Sequence, residues 1–264
     1  MAPEHPPLIP HLHSITVSHY CEKVRWALNR LQISYSEENH LPGFHMFANF
    51  KRGGSRTVPC LFTEEGIIPD STAILHWLDQ QVEPPLRLFP NGENREEVVA
   101  LEQRFDLQLG PHTRRYVYFY LLQQPGLARE LLSQKGPANE RSLLPLLWPA
   151  LAVMMRKSMN ITETASQRSL AKIKAEFDFA DQLLSDGRNY FCGNRFSAAD
   201  LTFAALAAPV LAPAEYSVPL PDLSRFPAPL KEQISHFRNR PSGQRALQWF
   251  REEYRSMAHR PPNP

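Results

Sequence analysis

Cysteine is scarce: the 264 residues hold three, Cys21, Cys60 and Cys192. The number is too small and too odd for a disulfide framework, and no two stand at C-x-x-C spacing, so neither a zinc knuckle nor a dithiol redox pair is available. Net charge is sparse as well. Lys and Arg total 29 against 27 Asp and Glu, and no basic run offers a footprint for a polyanion, which argues against nucleic acid as a partner. Long apolar runs are also missing. The most apolar stretch, "LTFAALAAPVLAPA", is interrupted by Pro209 and Pro213 and falls short of the roughly 18 to 20 residues of a membrane span. "MAPEHPPLIPHLH" at the amino terminus has neither the basic leader nor the apolar core of a secretory signal. The expectation is a soluble cytoplasmic protein with reduced thiols and no membrane partner. His11 and His13 would share one face of a strand, yet no third ligand is evident, so no metal is expected.

What is present is an ordinary folded composition, 42% hydrophobic and 21% charged, so disorder is expected only at the ends. Residues 1–10 and 256–264 are proline-rich and read as tails. From His11, "HLHSITV" alternates as a strand does, and Val24, Ala27, Leu28 and Leu31 then follow helical spacing. "ISYSEE" reads as a second strand, making a parallel strand, helix, strand unit. A glycine-containing connection follows, and then two short strands, Val58 to Thr63 and Gly66 to Pro69, form a hairpin before a helix capped by Asp70 or Ser71. Residues 11–82 therefore read as a compact α/β domain. Prolines mark a linker over 83–92, and residues 93–255 read as helical throughout, with a bend at Gly110-Pro111 in the first long segment. Shorter helices are expected where Pro125, Pro137, Pro145 and Pro149 fall.

Three motifs in this order resemble the glutathione transferase superfamily, which implies a thioredoxin-like α/β amino-terminal domain and an all-α carboxy-terminal domain. "SHYCEKVRWAL" is similar to the turn in which a side chain at the start of the first helix faces the glutathione sulfur. The resemblance makes Ser18 the catalytic candidate. "TVPCLFTEEGIIPDSTAI" is similar to the block in which a residue before a cis proline pairs with the cysteinyl backbone and an acidic-Ser pair holds the γ-glutamyl group. It implies Val58, Pro59, Asp70 and Ser71 as glutathione-binding residues. Thr57 stands where many members carry Lys or Gln, so Arg56, Lys51 and His45 are the candidates for the glycyl carboxylate. "FCGNRFSAADLTFAAL" carries Ser197 and Asp200 at capping-box spacing, a structural feature.

A hydroxyl donating to the bound thiol would favour thiolate, and glutathione would be a co-substrate with no permanently bound cofactor. Cys21 is the alternative, as the nucleophile of a thiol-disulfide oxidoreductase. A noncatalytic ligand-binding protein of the same fold is a further reading. The second substrate, a hydrophobic electrophile, would lie near Tyr20 and the helix carrying Arg114, Arg115, Tyr116 and Tyr118. A homodimer is implied by the resemblance.

Overall fold

A computed structural model describes residues 9–254. The expected tails lie outside the described residues except for Ile9 and Pro10. Strand β1 (His11–Ser14) pairs in parallel with β2 (Ser36–Asn39), joined by helix α1 (His19–Arg30). The second strand begins three residues later than the apolar run at Ile33 suggests, because Ile33 and Tyr35 pack against the core from the connection. Helix α2 (Phe44–Lys51) fills the glycine-containing segment. Strand β3 (Cys60–Thr63) runs antiparallel to β1 after a cis Val58–Pro59 peptide, and β4 (Gly66–Pro69) turns back along it. The sheet order is β2-β1-β3-β4. Helix α3 (Ser71–Gln80) follows, its first amides held by the Asp70 carboxylate.

After a 3-10 turn over Pro84–Leu86, every regular element is helical. The first long segment is two helices, α4 (Arg95–Gln108) and α5 (Gly110–Leu121), which meet at Leu109. Gly110 is needed there, since a Cβ would collide with the Tyr20 hydroxyl. Next come α6 (Pro125–Ser133), α7 (Ala138–Ser158), α8 (Glu163–Leu183), α9 (Ala198–Leu211), α10 (Ala228–Arg238) and α11 (Pro241–Trp249). No helix among the described residues is long and apolar enough to cross a membrane.

The expectation of short helices fails at α7, which runs for 21 residues with Pro145 and Pro149 inside it. Each proline forfeits one bond to the carbonyl four residues earlier. Both prolines and Arg141 are exposed, so water can serve the freed carbonyls, while Leu144, Trp148, Ala152 and Met155 keep a buried stripe against α6. Helix α9 is buried along nearly its whole length and is started by the Ser197–Asp200 capping box. Asp200 accepts from Ser197 N, Ser197 Oγ and Phe191 N at 2.7–2.8 Å, and burial nevertheless pushes its pKa up to about 7. Asp79, from α3, accepts the amides of Leu88 and Phe89 and so ties the linker to the first domain.

Buried Arg25 organises the turn between β1 and α1. Its guanidinium donates to the carbonyls of Ile15 and Thr16 at 3.3 and 3.0 Å, to Ser14 Oγ at 3.0 Å and to Glu37 on β2 at 2.7 Å. Glu22, also beside it, accepts from Ser217 N and Oγ and links the turn to the segment after α9. A guanidinium supplies five donors in a fixed fork, which suits this cluster of acceptors. Arg25→Leu leaves Glu22 and Glu37 without their cation and should cost about 3–5 kcal/mol in urea unfolding, the range for breaking a buried pair. A loss under about 1 kcal/mol, that of an exposed pair, would show that the network does not hold the turn.

Candidate active site

Ser18 is the N-cap of α1, extended at φ −73° and ψ 120°. Its Oγ accepts from Cys21 N at 3.4 Å. With an acceptor lone pair committed to the helix, the hydroxyl proton is free to point outward, and the unpaired amides and dipole of the helix start favour an anion beside it. Ser18 opens onto a cavity of about 410 Å³ between the sheet domain and the helices. Ile15 and Val17 flank Ser18, Gly43, His45 and Met46 come from the α2 end, and Arg56, Thr57 and Val58 from the segment before β3. Arg114 and Tyr118 on α5, with Met154, Met155, Ser158 and Met159 from the end of α7, close the far side.

The candidates divide. Ser18, Val58, Arg56, His45, Arg114 and Tyr118 share this cavity. Lys51 does not: it lines a separate cavity with His13, Glu38 and Arg52, because it sits on the face of α2 turned toward β2. Arg115 is also drawn away, donating from Nε to Met159 O and from Nη1 to Ser169 Oγ. Tyr20 is absent from the lining, its hydroxyl donating to Asp106 O at 2.9 Å beneath the Arg114 guanidinium. Tyr116, one residue after Arg115, is buried in the core.

Asp70 and Ser71 stand at the start of α3, outside the 410 Å³ lining. Asp70 holds φ at +99°, a conformation that costs a non-glycine residue of order 1–3 kcal/mol and often marks a functional position. Below them buried Lys23 bonds to Thr72, Glu102 and Asp106, and Ser71 Oγ donates to Asp106 at 3.3 Å. Neither the N–H nor the C=O of Val58 has a hydrogen-bond partner among the described residues, leaving both free for an extended peptide.

Electrostatics sort the carboxylate candidates. Burial lowers the His45 pKa, and its Nδ1 accepts from Gly43 N, so the ring is a neutral donor through Nε2. Arg56 is exposed, and its planar guanidinium fork is the better partner for a carboxylate. Arg114 has a buried Nε without a partner, which equips it to meet an anionic group in the cavity. His19, by contrast, is sealed against Gly110 O and driven down to about 3 by burial first and Arg114 second.

The cavity's helical wall is what sequence reasoning missed. Four of the six methionines, Met46, Met154, Met155 and Met159, line it, and flexible thioethers suit an adaptable apolar site. The cluster "MMRKSM" carried that signal, but broken helices were expected around it.

Cys21 is fully buried and absent from the lining, and burial raises its thiol pKa. Cys60 is equally buried, and Cys192 is pushed up to about 12. Native protein near neutral pH should therefore show no thiol that reacts readily with a disulfide reagent, and all three should react after unfolding. One fast-reacting equivalent lost in Cys21→Ala would instead restore Cys21 as a nucleophile.

Residues 12–86 match the family model described as glutathione S-transferase, N-terminal domain, and residues 163–228 match that of the C-terminal domain. A search of curated protein sequences finds no match. Among solved structures, the chain is similar to the beta-etherase LigF from Sphingobium sp. strain SYK-6, at 16% identity over 91% of this chain and 99% of that one, with a TM-score of 0.59. It is similar to a glutathione S-transferase from Sinorhizobium meliloti 1021 at 18% identity over 94% and 95%, TM-score 0.57. Ure2p5 from Phanerochaete chrysosporium, cocrystallized with 1-(S-glutathionyl)-2,4-dinitrobenzene, gives 16% over 99% and 100%, TM-score 0.54. Such identities speak for the fold alone. The two domain matches, in order and covering more than half of the chain, carry the assignment: the chain belongs to the glutathione transferase superfamily.

Proposed function

We propose that the protein is a glutathione transferase in which the Ser18 hydroxyl stabilises the glutathione thiolate for attack on a hydrophobic electrophile. The observation that carries this reading is the shared cavity, where Ser18 and Val58 face Tyr118 and the methionines of α7. Glutathione would lie along Val58, its glycyl carboxylate toward Arg56 and its γ-glutamyl group toward Asp70 and Ser71 at the start of α3. Ser18 would donate to sulfur while still accepting from Cys21 N.

A free thiol of this type titrates near 8.5, and each unit of lowering is worth about 1.4 kcal/mol. A hydrogen bond to the charged form and a helix start together supply lowering on that order. The thiol proton leaves to water, so Ser18 keeps its own. With an aryl halide, sulfur forms a bond to the ring carbon and halide departs. Holding both reactants in one cavity supplies the second catalytic contribution, proximity. Arg114 would neutralise negative charge developing on the electrophile. Dimerisation follows the family expectation.

The test is a pH titration of thiolate absorbance for glutathione bound to wild type, Ser18→Ala and Cys21→Ala, with turnover of 1-chloro-2,4-dinitrobenzene followed in parallel. Wild type and Cys21→Ala should show a lowered thiol pKa and turnover, and Ser18→Ala should lose most of both. Binding without a shift in any protein would overturn the hydroxyl mechanism in favour of a binding role. Turnover lost only in Cys21→Ala would favour thiol exchange.

A further inference from the structure

Away from the glutathione cavity, three histidines converge on one carboxylate. His11 and His13 project from the same face of β1, and Glu38 and His40 come from β2 and the residue after it. Glu38 Oε2 lies 3.4 Å from both His11 Nε2 and His13 Nε2, and Glu38 Oε1 lies 3.3 Å from His40 Nε2. The donor atoms of His11, His13 and Glu38 all fall within 4.8 Å of one another.

The far side of each ring decides what the near side offers. Asn49 Nδ2 donates to Thr57 O at 2.9 Å, which turns its Oδ1 toward His13 Nδ1 at 2.8 Å, so that nitrogen carries the proton. His40 Nδ1 likewise donates to Glu140 Oε1 at 2.7 Å, and that carboxylate is fixed in turn by Leu41 N. Where Nδ1 holds the ring's single proton, Nε2 presents a lone pair. The Nε2 atoms of His13 and His40 are both buried with no hydrogen-bond partner, in side chains 1% and 5% exposed. His11 Nδ1 is held by Ser36 Oγ at 2.7 Å. His11 Nε2 makes a hydrogen-bond contact with Glu38 Oε2 at 3.4 Å, whereas the other two Nε2 atoms lie as close to the carboxylate without one, a crowding that a proton or a bound cation would relieve.

We propose that His11, His13 and Glu38 form a zinc(II) site, with His40 beside it on the other Glu38 oxygen. Zinc favours nitrogen and oxygen donors in a tetrahedron with bonds of about 2.0–2.1 Å, which places neighbouring donor atoms about 3.3–3.4 Å apart. The separations of His11 Nε2 and His13 Nε2 from the one oxygen Glu38 Oε2, both 3.4 Å, have that length. The Nδ1 partners are the outer shell that orients metal-binding imidazoles. A cavity of about 320 Å³ reaches His13, Glu38 and His40 and gives the ion a way in. Half-exposed Arg52, whose Nη2 is 3.6 Å from Glu38, is the cation the ion would displace. With three protein ligands and a fourth position open to water, the ion would join β1 to β2, and His40 links Glu38 to Glu140 at the start of α7. Asn49 extends it to Thr57, which lines the glutathione cavity.

The test titrates full-length, chelator-treated protein with zinc chloride near neutral pH by calorimetry and with cobalt(II) by visible absorption. Wild type should take one equivalent of zinc and give the absorption of four-coordinate cobalt. His13→Ala and Glu38→Gln should each weaken zinc binding by at least about tenfold, and Asn49→Ala by about 10–100-fold. Glu38 is 42% exposed, so Glu38→Gln is a variant expected to fold, checked by circular dichroism. No stoichiometric binding by wild type, or an affinity unchanged in both His13→Ala and Glu38→Gln, would overturn the proposal and leave a proton-sharing His–Glu cluster.

Discussion

A buried guanidinium sets the position of the residue on which the proposed chemistry turns. Arg25 is buried, so its fork must find protein acceptors, and besides Glu37 at 2.7 Å these are the carbonyls and hydroxyl of the turn that ends in Ser18, at 3.0–3.3 Å. The charge that burial makes costly to leave unpaired thereby immobilises three consecutive residues, Ser14 to Thr16. Glu37 carries the constraint to β2, and Glu22 carries it through Ser217 to the helical half. A catalytic hydroxyl gains most when its surroundings hold it before substrate arrives, because no reorganisation is then needed as charge develops.

The second half of the cavity depends on a helix that proline ought to have broken. Pro145 and Pro149 are four residues apart on the exposed side of α7, so the buried stripe passes behind them undisturbed. The result delivers Met154, Met155 and Met159 opposite Ser18. Residues 87–162, which include α7, lie between the two matched domain models. The apolar wall that would choose the electrophile thus belongs to a stretch outside those models.

Features written within three or four residues were legible in the sequence. Ser18 and Asp70 as helix starts, the Ser197–Asp200 box and the order of strands and helices all follow from local spacing. Features set by long-range packing were not. Arg114 and Arg115 look equivalent in a string, yet neighbouring helix positions differ by about 100°, and one faces the cavity while the other bonds to Met159 O. Lys51 was expected with His45 and Arg56, but the facing of α2 separates them. The closeness of Glu38 to His11 and His13 was hidden because parallel pairing, which sets His13 opposite Glu38, joins residues 25 apart. Ile33 was read as strand because a buried apolar side chain looks alike in a strand and in a connection packed on the core.

Glutathione orientation joins the turn, the Val58 backbone, the start of α3 and the α7 wall into one account, and a crystal structure of the protein soaked with glutathione tests it most directly. The expected result is sulfur within hydrogen-bond reach of Ser18 Oγ, the cysteinyl backbone paired with Val58, and the γ-glutamyl carboxylate at the α3 amides. Glutathione bound with its sulfur turned away from Ser18, or bound outside this cavity, would contradict it.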